Sequence, residues 1–277
     1  MTVDPSLSAA VRHWGTRAVP FSDTVGEKPC LNPAWESNLA LLGQTAALRS
    51  LMLLCGDNGV GKSALVGHWV STLEPKAYCP VVITQATLGG SGLLAILLGK
   101  LGHKAAIHRS RNLARLEEAL KDLGRVTPVL ILDDAQDYPP GTLEEVRLLL
   151  GLNLPRQPVF ALVLMGDLYL QETLRLAHHR SLYSRIAARG LLSPLDRSAI
   201  EPYLNHGLQQ VGLQRPCLAP AAIDLLASAS GGLPRLLNLL ARWAWVAAAR
   251  AQANSIEAEH VQTALQLVPA AADKLRA

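Results

Sequence analysis

Gly56-Asp57-Asn58-Gly59-Val60-Gly61-Lys62-Ser63 is the stretch on which the reading of this chain turns. It fits G-x-x-x-x-G-K-[S/T], a phosphate-binding loop. The short apolar run Leu51-Met52-Leu53-Leu54-Cys55 precedes it and predicts a buried parallel strand. Residues 63–70 follow it with helical spacing. Strand, glycine loop and helix together aim backbone N–H groups at an anion. Gly56, Gly59 and Gly61 let the chain turn tightly and approach phosphate closely, with Asp57, Asn58 and Val60 completing the backbone cradle. Lys62 is expected to reach the β- and γ-phosphates of ATP, and the Ser63 hydroxyl to ligate Mg²⁺. The bland alternative is a glycine-rich turn capping an ordinary helix. It leaves Lys62 at the positive end of a helix dipole with no anion to offset it.

The wider composition is consistent with a nucleotide-binding α/β protein. The chain has 277 residues, 49% of them apolar, enough for one large domain or two smaller ones. Lys and Arg exceed Asp and Glu to give a net charge of +4, which permits a polyanionic partner without demanding one. Cys30, Cys55, Cys79 and Cys217 are scattered and form no C-x-x-C pair, so they read as reduced thiols of a cytoplasmic protein. The N-terminus shows no signal-peptide pattern, and no apolar tract reaches the length of a membrane span.

Along the chain, residues 1–48 read as a lead-in, with short helices over 6–14 and 34–50, the second placing Leu41 and Leu48 on its apolar side. Residues 49–195 read as the ATPase α/β domain. Strands are predicted at 51–55, 79–84, 128–132, 159–165 and 190–195, alternating with helices at 93–101, 111–123 and 142–152. Gly89-Gly90-Ser91-Gly92 reads as a flexible turn. Residues 196–277 carry only helical spacing, with four helices at 197–211, 220–229, 234–250 and 256–267 and an Ala-rich end expected to fray. The fold class is therefore α/β, a parallel five-stranded sheet between helices followed by a smaller all-helical domain.

A second motif supports the first. Val129-Leu130-Ile131-Leu132-Asp133-Asp134-Ala135-Gln136 is an apolar strand ending in acids, which puts the carboxylates at the carboxyl edge of the sheet. Asp133 is the candidate Mg²⁺ acid and Asp134 the candidate that polarises the attacking water. An acidic helix N-cap is the competing reading for either residue.

With both motifs in place, the chain resembles an AAA+ ATPase of the ExeA-like group, which includes general secretion pathway protein A and transposon helper ATPases of the MuB, TnsC and TniB kinds. The matching pieces are His13-Trp14-Gly15 with Pro20-Phe21, the phosphate loop, Asp133-Asp134-Ala135-Gln136, Met165-Gly166-Asp167, Arg185-Ile186 with Arg189, and Gly232-Leu233-Pro234-Arg235. Two positions depart from the group. Asp134 stands where Glu is usual, which places its carboxylate one methylene short and implies slow hydrolysis. Asp167 stands where Gln is frequent, so a sensor role and a helix N-cap are equal readings.

The resemblance implies further roles. Arg235 is expected to read the nucleotide phosphates in cis. Arg185, and next Arg189, on a helix expected between the fourth and fifth strands, are expected to reach a neighbouring subunit's nucleotide in trans; a solvated helix face is the alternative for both. A trans arginine requires a homo-oligomer, ring or filament. Lys100, Lys104, Arg109 and Arg111, with Arg115, His103 and His108, form a basic segment without an intervening acid. It reads as a non-specific contact to duplex DNA or as a solvated basic loop. Trp243 and Trp245 read as core. Trp14 and Trp35 read as core or as packing near the adenine. The implied function is an ATP-dependent DNA-binding transposition helper that recruits a transposase, with no membrane. The alternative is an ExeA-like secretion or regulatory ATPase acting on a protein partner. Secretion proteins of this kind add a membrane span after the ATPase, which this sequence does not show.

Overall fold

The computed structural model describes residues 5–22, 29–84, 89–152 and 158–269. The described elements, in order, are α1 (Pro5–Trp14), α2 (Pro33–Leu48), β1 (Leu51–Gly56), α3 (Lys62–Thr72), β2 (Tyr78–Ile83), α4 (Gly90–Lys100), α5 (Arg109–Asp122), β3 (Thr127–Leu132), α6 (Pro140–Leu149), β4 (Ala161–Gly166), α7 (Leu168–Arg175), α8 (Arg180–Tyr183), β5 (Ile186–Leu192), α9 (Arg197–Gln210), α10 (Pro220–Ser230), α11 (Pro234–Arg250) and α12 (Ala258–Leu267). They form two compact units. One comprises Pro33–Asn58 and Leu65–Leu192; the other comprises Met1–Asn32, Gly59–Ala64 and Ser193–Ala277. The expected lead-in thus divides: α1 goes with the helical unit and α2 with the sheet. The Ala-rich end expected to fray lies, from residue 270 on, outside the described residues.

The first unit is built on a parallel sheet of strand order β2-β3-β4-β1-β5. Every residue of β1 and β4 is buried, as a strand covered on both faces requires. The register pairs Cys55 with Gly166 and Leu132 with Leu164, so β1, β3 and β4 end at one edge of the sheet. On one face Leu53, Leu132, Leu162 and Leu164 pack with Leu93, Leu97, Leu143, Val146 and Leu170 from the helices. Each such leucine stabilises the fold by roughly 1.5–3 kcal/mol through burial.

Helix α2 packs on β1, β3, β4 and β5. Its buried face is Asn38, Leu42, Thr45 and Ala46, whereas Leu48, expected on the apolar side, is 73% exposed. Asn38 explains the shift. Its Nδ2 donates to the carbonyls of Ala34 (2.8 Å) and Leu191 (3.2 Å), fixing the helix rotation over β5. Gly190 makes the approach possible, because a Cβ there would lie 2.1 Å from Asn38 Oδ1.

Two expectations are corrected in this unit. The Gly89–Gly92 turn is largely helical, since α4 begins at Gly90, where a Cβ would sit 3.1 Å from Glu145 Cβ. The glycine serves close α4–α6 packing rather than flexibility. The fifth strand runs over Ile186–Leu192, four residues earlier at its start than the glycine and leucine pattern suggested. Arg189 therefore lies in a strand, not on a helix. Exposed residues alternate along this edge strand, and Ala187, Ala188, Arg189 and Gly190 give no run of large apolar residues to mark its start.

The second unit is helical. Trp14 stacks near Trp245 (centroids 6.3 Å apart, planes at 23°), and its indole N–H donates to the Trp245 carbonyl at 3.1 Å. Both are buried, with Leu204, Leu226, Leu237 and Leu240 around them. This places Trp14 in the core of the helical unit. Arg242 donates to the Phe21 carbonyl and His13 Nε2 bonds the Ala253 carbonyl at 2.8 Å. The His13-Trp14-Gly15 and Pro20-Phe21 pieces are therefore what ties α1 and its exit to α11. Gly231 and Gly232 both take positive φ between α10 and α11, and a Cβ on Gly232 would meet the Leu195 carbonyl oxygen at 2.1 Å.

Candidate functional site

The loop from β1 to α3 has the backbone of an anion cradle. Gly59 (φ 85°) and Gly61 (φ 103°) occupy conformations that other residues disfavour. Lys62 opens α3 and is 6% exposed. A lysine enclosed at a helix N-terminus opposes the dipole, so the arrangement suits a bound polyanion. Asp57, Asn58 and Ser63 are exposed, and Val60 is buried. The residue types fit ATP with Mg²⁺: a glycine-rich donor loop and a buried lysine for phosphate, and hard oxygen ligands from Ser63 and Asp133 for the cation.

Arg235 belongs to this loop. Its backbone N–H donates to the Gly59 carbonyl at 3.1 Å. A Cβ on Gly59 would approach Arg235 Cβ to 3.1 Å. Both residues are in the helical unit as its contacts define it. The pair Gly231-Gly232 ends α10, Pro234 begins α11, and the arginine that follows lies directly against the phosphate-loop backbone.

At the carboxyl edge of the sheet, Asp133 and Asp134 follow β3. Asp133 is 7% exposed; its amide donates to the Ile83 carbonyl at 2.9 Å and its Oδ1 accepts from the Asp134 amide at 3.0 Å. Asp134 is exposed with left-handed backbone (φ 50°, ψ 44°), and its carboxylate caps no helix. The N-cap reading is thereby removed for Asp134. Left-handed backbone also gives a reason for Asp at this position, since its short polar chain tolerates that region better than Glu does. With β4 between β3 and β1, the Asp133 backbone stands two strand spacings, about 10 Å, from the end of β1.

Two residues whose roles the sequence did not reveal shape this edge. Gln136 Nε2 reaches Asp134 Oδ1 (3.5 Å) and Asp137 Oδ2 (3.3 Å), while its Oε1 accepts from the Asp167 amide at 3.2 Å. It links the ends of β3 and β4. Gly166 leaves room for it, because a Cβ there would lie 2.6 Å from Gln136 Oε1. Tyr138 is buried with no partner for its hydroxyl among the described residues; burial, then the charges of Asp133 and Asp134, push its pKa to about 12. Asp167 accepts from the Leu170 amide at 3.1 Å, so it is the N-cap of α7.

The two trans candidates differ. Arg185, just before β5, directs Nη1 to the Arg147 carbonyl at 3.5 Å. Arg147 itself pairs with Glu144 at 2.5 Å. Arg189, within β5, lies over the Tyr183 ring at 4.7 Å and donates to its hydroxyl, which Arg175 also approaches at 3.3 Å. These arginines lower the Tyr183 pKa, the hydrogen bond from Arg175 most.

The basic segment does not act as one group. Lys100, Lys104 and Arg111 are exposed around the α4–α5 connection. Arg109, expected with them, is instead committed to Glu145 of α6. Its Nε and Nη2 donate to the two carboxylate oxygens at 2.9 Å each, and Glu145 is 5% exposed. No acid intervenes in the sequence, yet one arrives from another helix. The signal was present: Glu145 falls on the apolar face of α6 with Thr142, Val146 and Leu149, and a buried carboxylate needs a cationic partner.

Fold and motifs together define the class: an AAA+ P-loop ATPase with a parallel five-stranded sheet and a smaller all-helical domain. Residues 46–174 match the family model described as an AAA domain. The chain is 35% identical over 204 residues to General secretion pathway protein A of Aeromonas hydrophila, covering 71% of this chain and 37% of that protein. It thus spans little more than a third of the relative's length. Among solved structures it is similar to Cdc6p from Pyrobaculum aerophilum (TM-score 0.70, 21% identity, 90% of this chain and 70% of that one). It is similar also to the Aeropyrum pernix ORC1 protein in complex with DNA (TM-score 0.63, 20% identity, 86% and 66%). A third is the Thermotoga maritima RuvB Holliday junction branch migration motor (TM-score 0.57, 18% identity, 84% and 68%). At these identities the structural likeness establishes the fold.

Proposed function

We propose that this ATPase is a nucleotide-operated switch, in which Arg235 reads the γ-phosphate of bound ATP where α11 meets the phosphate loop, and hydrolysis removes that contact. The observation that carries the reading is the Arg235 amide on the Gly59 carbonyl. A residue so placed is sensitive to what the loop holds, and its guanidinium has the reach and charge to meet a phosphate. In this reading Lys62 binds the β- and γ-phosphates, and Ser63 and Asp133 hold Mg²⁺. Asp134, positioned by Gln136, orients the attacking water. Mg²⁺ would supply charge neutralisation on the phosphate oxygens. Arg185 or Arg189 serves a neighbouring subunit, which makes the working form a homo-oligomer.

Two readings of the partner each have an observation behind them. The 35% identity to General secretion pathway protein A favours a protein partner, in a secretion or regulatory role. The exposed Lys100, Lys104 and Arg111 favour duplex DNA bound through its phosphates. The ORC1 structure with DNA and the RuvB Holliday junction motor share the fold and lend this second reading support. Its narrower form is a cytoplasmic transposition helper that recruits a transposase; the likeness to General secretion pathway protein A supports the first reading better. Among the described residues no helix is long and apolar enough to cross a membrane.

Binding to random-sequence duplex DNA separates the readings. It is measured with ATP, with ADP and without nucleotide, across a salt series. ATP-dependent binding that weakens steeply with salt and is lost in Lys104→Glu/Arg111→Glu supports the DNA reading. Absence of binding in every nucleotide state at low salt leaves the protein-partner reading. Arg109 is left intact in this test because its loss unpairs Glu145.

A further inference from the structure

The α4–α5 connection carries the most exposed large apolar side chain among the described residues, Ile107 at 98%. Isolated surface apolar residues are ordinary. The way this one is held is not. The His103 amide donates to the Leu98 carbonyl at 2.8 Å. Arg115 Nη1 donates to the Lys104 carbonyl at 2.6 Å. Asn112, 3% exposed, clamps Ala106 from both sides: its Oδ1 accepts from the Ala106 amide at 2.6 Å and its Nδ2 donates to the Ala106 carbonyl at 3.0 Å. The Asn112 amide bonds the His108 carbonyl at 3.2 Å, and the Arg109–Glu145 pair anchors the start of α5. Backbone on each side of Ile107 is therefore fixed, and conformational entropy has been given up to hold an aliphatic group in water.

The charge around this tip states what it suits. Lys104 and Arg111 are exposed near it in the chain, with Lys100 at the end of α4. A rigid aliphatic tip flanked by cations matches one recurrent use: phosphate contacts position the loop while an isoleucine enters the minor groove and partly unstacks a base step.

We propose that Ile107 is a wedge that inserts between base pairs of duplex DNA while Lys104 and Arg111 hold the adjacent phosphates. The proposal rests on the DNA reading of the partner. A single wedge per protomer, repeated along an oligomer, unwinds and bends the duplex without reading its sequence.

The test uses the full chain with ATP and Mg²⁺ on closed circular DNA, relaxed by a topoisomerase while protein is bound. Linking number is then read on a gel, and affinity is measured in parallel. The expected result is a linking-number shift that grows with bound protein. Ile107→Ser loses the shift while weakening binding by less than about tenfold, since phosphate contacts supply most of the affinity. Ile107→Leu keeps the shift, which separates wedge loss from misfolding. Lys104→Glu/Arg111→Glu loses binding itself. An unchanged shift in Ile107→Ser, or saturated DNA with no shift in the unaltered protein, overturns the wedge and leaves DNA binding standing. Absence of DNA binding altogether overturns the DNA reading and the wedge with it. Capture by phosphatidylserine vesicles that is lost in Ile107→Ser, with no effect on DNA, reassigns the tip to a lipid surface and equally overturns the proposal.

Discussion

Asp134 has a carboxylate one methylene shorter than that of Glu, and it holds left-handed backbone at φ 50°. Two physical terms oppose each other there. A glutamate extends the carboxylate toward the water, but in left-handed backbone it costs about 1 kcal/mol more than aspartate. We therefore expect Asp134→Glu to raise ATP turnover several-fold while lowering the melting temperature slightly; steady-state hydrolysis and thermal unfolding check both. Asp134→Asn is expected to keep ATP affinity and to lose roughly 10²–10⁴-fold in turnover, as removal of a proton-accepting group does. Gln136 is subject to the same logic. Its amide joins Asp134 to the Asp167 amide, so Gln136→Ala is expected to lower turnover with little change in ATP affinity. Equal losses in both quantities would assign Gln136 to binding instead.

At the scale of elements, two predictions test what holds the helices in place. Arg109→Ala leaves Glu145 buried and unpaired, at a cost on the order of 1–3 kcal/mol. Glu145→Gln in the same chain should recover much of it, because no charge then lacks a partner. Denaturant unfolding of the single and double variants gives the coupling. His179 offers a second handle. It is buried, its Nε2 has no partner among the described residues, and burial, then His178, lowers its pKa from 6.5. A histidine depressed in the folded state takes up its proton first when unfolded, so stability falls as pH drops below about 6.5 through that group's two pKa values. His179→Phe is expected to flatten that limb of the stability profile.

These same elements show what was legible in the sequence. The glycine-rich loop after β1, the acids after β3 and the Gly231-Gly232-Leu233-Pro234-Arg235 punctuation were readable because each depends on local chain chemistry. Strands β1, β3 and β4 were readable as continuous apolar runs. The start of β5 was not, because Ala187, Ala188, Arg189 and Gly190 lack large apolar side chains, with Arg189 at an outward position of the edge strand. The Glu145 partner of Arg109 and the bridging role of Gln136 were not, because both arise from contacts between elements distant in the chain.

In the proposed function the chain is one protomer of a shared machine. If Arg185 or Arg189 acts in trans, mixing a Lys62→Ala protomer with an Arg185→Ala/Arg189→Ala protomer should restore part of the ATPase activity that each lacks alone. The mixture is predicted to show a maximum in activity at an intermediate ratio, and a linear decline would place the arginines in cis or outside the reaction. In the proposed switch, α11 senses the γ-phosphate through Arg235, at the phosphate loop. Calorimetric titration of ATP and ADP into the unaltered protein and Arg235→Ala, with Mg²⁺ present, tests it most directly. Arg235→Ala is expected to weaken ATP binding by roughly tenfold or more, the worth of a charge-assisted hydrogen bond, and to leave ADP binding nearly unchanged. Equal affinities for ATP in the two proteins would contradict it.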